Sequence, residues 1–399
     1  VNRIQYVLFA VCLFSLLVNA SHLVVNTTDP ACASGDSHYS SITDAINNAN
    51  DGDYITICDG TYNEDVTVNK SVNITGESKT GVIITASSIP LKITANNVNI
   101  TNLTLSNGDY GIYIDNANYT NITEIDIGDI STSNNAYGIY LVNSSYSWIE
   151  NVTAGNITSN SNNASGMYLY NSTSNTITNV SLENVSGSSY SYGVYLETSS
   201  ENNTFTNTQL GDVNATSGDA YGIWLSSSSN NNLTNTSLGN VSGSIYAYGV
   251  VLGSSSSNNN FTNTSLGNVS GSSYAYGVFL DSSSSNSFTN TQLGDVNSAN
   301  YDACGVFLDS SSENNSFTNT QLGDVNATND EAYGIWLSSS SNNNLTNTSL
   351  GNVSGSYAYG AYISSSSDNV FTTVQLGDVN STSSSAYGIV LSSSSSNNT

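Results

Sequence analysis

The stretch "YGIWLSSSSNNNLTNTSLGNVSGS", Tyr221–Ser244, decides how this chain is read, because the same 24 letters return unchanged at Tyr333–Ser356. The two copies begin 112 residues apart, four times 28. Aligning the glycine of each "YG" or its variant gives Gly111, Gly138, Gly166, Gly193, Gly222, Gly249, Gly277, Gly305, Gly334, Gly360 and Gly388, spaced 26 to 29 residues apart. A fixed period over most of a chain marks stacked units, none of which can bury its own inner face alone.

The unit is built of strands. It is rich in Ser, Asn, Thr and β-branched residues and lacks the runs of good helix formers, apolar at three and four residue spacing, that a helical repeat needs. Its apolar positions, Ile223, Leu225, Leu233, Leu238 and Val241, form short alternating runs separated by polar corners. Three brief strands per coil of about 28 residues make an all-β parallel β-helix, in which like residues lie over like. Inward columns then run from Ile112 to Ile389, from Ile114 to Leu391 and from Ile122 to Phe371. Asn151, Asn179, Asn207, Asn235, Asn263, Asn290, Asn319 and Asn347 share one position and read as an inward ladder of stacked amides. The flanking pairs such as Thr206 with Thr208, and Thr234 with Thr236, read as outward.

Charge narrows the partners. The 399 residues hold 30 acids against 4 bases, a net charge of −26, and no Lys or Arg follows Lys92. Phosphate contacts depend on those side chains, so nucleic acid is excluded as a partner, and direct binding to anionic lipid is disfavoured. Aromatic residues at 10% and regularly spaced Ile, Val and Leu argue that the chain folds despite its low complexity.

Residues 1–20 have the layout of a secretory signal peptide: Arg3, an apolar run to Val18, then "VNA" ending at Ala20. An uncleaved anchor is the competing reading of the same run. The mature chain is expected to be secreted or displayed at the cell surface, without membrane insertion of its own. Cys32 and Cys58 flank the N-terminal segment, where a disulfide would tie down the start of the fold. Cys304, in a column otherwise held by tyrosine, reads as a packed thiol. Residues 21–53 form a cap region with a short helix, and residues 54–399 the coils. The chain stops in mid-coil at "YGIVLSSSSSNNT", which reads as a truncation.

The segment "SITDAINNANDGDYITICDGTYNEDVTVNKSVNITGES", Ser41–Ser78, resembles the opening of pectin-lyase-like right-handed β-helix proteins, with a capping helix, a strand and then "DGTYNEDVTV". The coils that follow resemble NosD-like, or CASH-type, repeats. Together the resemblance spans roughly residues 24–399 and implies a single-stranded right-handed parallel β-helix. Lyases and esterases of that group use an arginine, and its polygalacturonases a Gly-His-Gly and an Arg-x-Lys segment. Here no Arg follows Arg3, and the two histidines are His22 and His38. The expectation is therefore that the chain is not an enzyme.

Aspartates that follow a recurrent glycine, Asp212, Asp295, Asp324 and Asp378, suit tight corners, with calcium as the alternative reading of their hard oxygens. No other cofactor is expected. Between the inward columns lies an outward one: Tyr113, Tyr140, Tyr168, Tyr195, Trp224, Phe279, Phe307, Trp336 and Tyr362, interrupted by Val251. Stacked at strand spacing these rings form a ribbon, either open to a ligand or covered by the "NVSGSSYAY" corner. The preferred reading is a secreted structural or adhesive β-helix that binds an extracellular polysaccharide or another surface protein along this ribbon. A carbohydrate-active enzyme, polysaccharide lyase or glycoside hydrolase, is the alternative, and an ice-binding solenoid with a flat Thr-x-Thr face is a second. Sequons such as Asn232, Asn240 and Asn260 imply a glycan coat, from which the inward Asn235 is excluded.

Overall fold

The computed structural model describes residues 20–26, 32 and 34–399. All but the last residue of the segment read as a signal peptide lies outside the described residues. From His22 onward the chain winds into three sheets in which every strand pairing is parallel and in register. A 21-stranded sheet is bent, a 13-stranded sheet carries the aromatic residues, and a 10-stranded sheet of three-residue strands is narrow. One coil supplies each in turn: Ala220–Ser226 to the aromatic sheet, Asn232–Leu238 to the bent sheet and Val241–Gly243 to the narrow sheet.

The expected inward columns form the core. Ile223 pairs with Val250 and Leu225 with Leu252, all 0% exposed, and Phe261, Phe288 and Phe317 stack at 4.7 and 4.8 Å between ring centres. Each such side chain contributes about 1.5–3 kcal/mol on burial, shared between neighbouring coils. The last members, Ile389 and Leu391, have no coil above them and are exposed. The helix Ile42–Asn48 lays Ile42, Ala45 and Ile46 over the first coil. Ser41 caps it, its hydroxyl accepting from Asp44 N, and Glu64 accepts from Ser41 Oγ, Ile42 N and Thr43 N at 2.8–3.0 Å. Burial alone would raise the Glu64 carboxyl, but these hydrogen bonds outweigh it and hold the group below its ordinary value. Cys32 and Cys58 form a disulfide. The cap region is continuous with the coils, because its strand His22–Val25 already pairs with Tyr54–Ile57.

Glycine recurs for a steric reason. A Cβ on Gly222 would stand 2.5 Å from the carbonyl oxygen of Gly249, and one on Gly249 would stand 2.4 Å from that of Gly277. The close approach shifts the alternation of the strand, so that Gly222 and Ile223 are both buried while Tyr221 and Trp224 both face outward.

Two expectations are corrected. The asparagines Asn151 to Asn347 lie on the outside, at the bend of the bent sheet, in left-handed backbone with φ near 50°, a conformation that Asn tolerates well. They do form a ladder, with Asn235 Nδ2 donating to Asn207 Oδ1 at 2.9 Å. The inward ladder is another column, Asn175, Asn203, Asn231, Asn259, Asn286 and Asn315, each at most 1% exposed and joined amide to amide. Asn235 is therefore an exposed sequon. The same bend redirects the threonines: Thr234 stays near the surface while Thr236 turns into the core at 1% exposure. No flat Thr-x-Thr array exists on this face, and the ice-binding alternative loses its geometry.

Candidate functional site

The outward column of the aromatic sheet is where the sequence places it. Tyr113, Tyr140, Tyr168, Tyr195 and Trp224 stack with successive ring centres 4.8–5.1 Å apart, and Phe279, Phe307 and Trp336 continue beyond Val251 at 5.1 and 4.3 Å. Trp336 then meets Tyr362 edge-on, at 83°. Trp224 and Trp336 are half-buried, so the corner leaves the ribbon partly open. The tyrosine column that Cys304 interrupts was not expected on this face: Tyr110, Tyr137, Tyr192, Tyr221, Tyr248, Tyr276, Tyr333 and Tyr359 lie beside the first column, with Tyr221 4.6 Å from Trp224 and Tyr192 4.7 Å from Tyr195. Strict alternation from the outward Trp224 would turn Tyr221 inward, and the shift at Gly222 turns it out again. The recurrent "YG" was its signal. The ribbon is thus two rings wide, and because rings cover one another's faces, it offers solvent mainly ring edges and hydroxyls.

Carboxylates border both margins. Asp115, Glu197, Asp281 and Asp309 follow the first column at a fixed offset. Tyr168 donates its hydroxyl to Glu197, and Lys92 Nζ lies 2.8 Å from Asp115 and 4.7 Å from the centre of the Tyr113 ring. Burial, then Asp115, pushes the Tyr113 hydroxyl up to about 12, so it remains a donor at ordinary pH.

On the opposite margin the repeat breaks. Three rungs after Asp219, the position filled by Tyr246, Tyr274 and Tyr357 is taken again by an acid, Asp302, and, one rung on, by Glu331, with Asp330 beside it. Burial, then the charges of Asp330 and Glu331, pushes the Asp302 carboxyl up to about 6, against a smaller opposing effect of the Glu331 backbone N–H. Glu331 accepts the Tyr333 hydroxyl. Sequence reasoning missed these three acids, although "NYDACG" and "TNDEAYG" set against "GSSYAYG" carried the signal.

The calcium candidates stand elsewhere, at the corner between the bent and narrow sheets, one per coil. Asp212 Oδ1 accepts the backbone N–H of Asn240 at 2.7 Å, Asp295 Oδ1 that of Asp324 at 2.9 Å, and Asp324 Oδ1 that of Asn352 at 2.7 Å. Asp378 ends this chain of corner caps, its own N–H donating to Asn352. Among the described residues the one trio of metal-type ligands is Cys32, Cys58 and Glu77, two of which are spent in the disulfide. Cys304 is fully buried with its thiol raised by desolvation and donating to Val306 O at 3.4 Å, as a packed thiol should be.

No strand of the aromatic sheet contains an asparagine, whereas the bent sheet and the corners carry sequons throughout.

No curated protein matches the sequence. Among solved structures, two variants of the catalytic domain of a GH87 alpha-1,3-glucanase in complex with nigerose share the shape, at 14% identity with TM-score 0.57 and at 13% with 0.54. Each match covers 83% of this chain, which spans 66%, just under two thirds, of those domains. A Yersinia enterocolitica family 28 exopolygalacturonase is found at 10% identity and TM-score 0.46, covering 90% of this chain and 74% of that one. At such identities what is shared is the fold. The comparison nevertheless corrects two expectations, that the chain is not an enzyme and that it is a structural or adhesive stalk, since the shapes found include catalytic domains of glycoside hydrolases. The model of the right handed beta helix region matches residues 57–266, just over half of the chain, and the protein belongs to that family.

Proposed function

We propose that this chain is a carbohydrate-active enzyme of the glycoside hydrolase type, which cleaves a polysaccharide lying along its aromatic sheet. The observation that carries this reading is Asp302: a half-buried carboxyl pushed up to about 6, at the edge of a ribbon of stacked rings, with Asp330 and Glu331 beside it. Glycoside hydrolysis needs one carboxyl that keeps its proton and a second that does not. Asp302 is the general acid. Glu331, on the neighbouring rung, is the base or nucleophile, oriented by the Tyr333 hydroxyl. Hydrolysis fits better than lyase chemistry, since the lysine of this face, Lys92, is held by Asp115 at the early end of the ribbon and no arginine or lysine follows it toward Asp302 to abstract a proton.

In a bound sugar chain the half-buried rings exclude water from one side while neutral tyrosine hydroxyls donate to sugar oxygens. Action outside the cell is part of the proposal, supported by the leader-like segment at residues 1–20 and by a disulfide suited to an oxidising compartment. Release of reducing ends from a panel of purified polysaccharides tests the reading. Wild-type protein should cut at least one, and Asp302→Asn, folded by circular dichroism, should not. Equal cleavage by the variant removes Asp302 from the mechanism, and a folded wild type inert on every polymer removes the enzymatic reading.

A further inference from the structure

We propose that the polymer held on the aromatic face carries amino groups, with its ammonium ions seated between the rings of the outward column and the carboxylates that follow it. The inference rests on the reading of this face as a sugar site and names the substrate class.

The structure contains its own example of the contact. Lys92 occupies the outward column one rung before Tyr113, and its ammonium lies 4.7 Å from the ring centre with the Asp115 carboxylate at 2.8 Å. Ring and carboxylate share a primary ammonium, the pairing expected of a cation against an aromatic face at a carboxylate edge. The same ring-then-carboxylate spacing returns at Phe279 with Asp281 and, one rung on, at Phe307 with Asp309, where Phe279 and Trp336 cover both faces of the ring and the carboxylate alone is left to an ammonium. There the residue one rung before Phe279 is Val251, not lysine, and no Lys or Arg remains anywhere in that part of the chain.

Neither of those two carboxylates receives a tyrosine hydroxyl, and what Asp281 accepts is the hydroxyl of its neighbour Ser282, at 3.0 Å. Glu197 accepts the Tyr168 hydroxyl, whereas Phe279 and Phe307 have no hydroxyl to give. Asp281 and Asp309 stand in register on adjacent strands, an arrangement in which like charges repel. A ligand that brings positive charge relieves that repulsion. A polyuronate brings the opposite sign onto a surface with acids on both margins and no cation beyond Lys92 to receive it.

Because the whole molecule is acidic, the test must separate site binding from bulk attraction. Three oligosaccharides of equal length, fully deacetylated glucosamine, its N-acetylated form and galacturonate, are titrated calorimetrically at physiological ionic strength. The deacetylated oligomer is expected to bind about tenfold more tightly than the acetylated one, as one exposed ion pair plus a cation–π contact provides, and the galacturonate not at all. In the double variant Asp281→Asn, Asp309→Asn that ratio should fall to near one. In Phe279→Ala, Phe307→Ala, which leaves the charge unchanged, binding of the deacetylated oligomer should be lost. Discrimination that survives both variants is bulk attraction and overturns the proposal, as does equal binding of the two glucosamine forms or any binding of galacturonate. If neutral or acidic sugars bind through the ribbon, the sugar site stands and this inference fails. If no oligosaccharide binds and no polysaccharide is cut, both fail together.

Discussion

The coils up to Val180 and those from Thr208 share one backbone plan but fill it differently. At one inward position of the bent sheet the lower coils place Leu103, Ile125, Val152 and Val180, each at most 1% exposed. In register above them come Thr208, Thr236, Thr264, Thr291, Thr320 and Thr348, equally buried, whose hydroxyls have no hydrogen-bond partner. The outer face divides at nearly the same height. Below, Lys92 and the tyrosines answer the marginal acids; above, phenylalanines offer Asp281 and Asp309 no hydroxyl, Asp281 accepting that of the adjacent Ser282 instead, and Asp302, Asp330 and Glu331 interrupt the repeat. Thr120 apart, the lower coils satisfy their buried hydroxyls, whereas the upper ones carry a column of unpartnered hydroxyls inside and adjacent acids outside. A fold whose stability is summed over neighbouring coils can carry such local costs while its other rungs hold.

The largest effect should come from the acid that breaks the repeat. Asp302→Asn is expected to lower the rate of polysaccharide cleavage about 10²–10⁴-fold, the range for a lost general acid, read as reducing ends released. Since Asp302 must hold its proton, wild-type cleavage should decline as pH rises through about 6. A profile flat from pH 5 to 8 would detach the activity from this carboxyl.

Exchanging the inner column sharpens the contrast next. Val180→Thr should lose about 1–3 kcal/mol by burying a hydroxyl without a partner, and Thr236→Val should recover a similar amount. Denaturation midpoints compared across the set decide it, since a stack of coils need not unfold in one step. Should Thr236→Val destabilise the protein, its hydroxyl has a partner that this account lacks.

Smaller still is the stability linked to Asp302. Its folded value lies above the ordinary one, so the folded state binds the proton more tightly. The contribution is complete below about pH 4 and is lost as pH rises through about 6. With solvent screening of a half-exposed group it amounts to about 1 kcal/mol, and Asp302→Asn should abolish that pH dependence in thermal melts. At the bottom of the scale, Tyr168→Phe gives a lower coil the upper pattern. Loss of its bond to Glu197 should cost about 0.5–1.5 kcal/mol in the same melts.

The stack itself was legible because in-register parallel pairing sets equivalent letters over one another, so that columns such as Ile112 to Ala361 can be read directly from the period. Misreadings arose where one residue changes the direction of the strand. "Thr234–Asn235–Thr236" has the form of a straight strand with two outward threonines, but the left-handed turn at Asn235 sends the second one inside. Gly222 likewise brings Tyr221 onto the outer face, and half of the ribbon was overlooked with it. The disulfide and the helix followed from local pattern. The raised carboxyl of Asp302 did not, since it depends on burial and then on Asp330 and Glu331, which come beside it only after a further coil has been wound.

The two asparagine ladders run in opposite senses. On the outside each amide donates toward the earlier coil, as Asn263 does to Asn235, while inside each donates toward the later one, as Asn231 does to Asn259. Their dipoles therefore oppose, and every added coil extends both by one link. The solenoid can lengthen by whole rungs, as the duplicated block suggests it has, without these two amide tapes accumulating an electrical polarity between its ends.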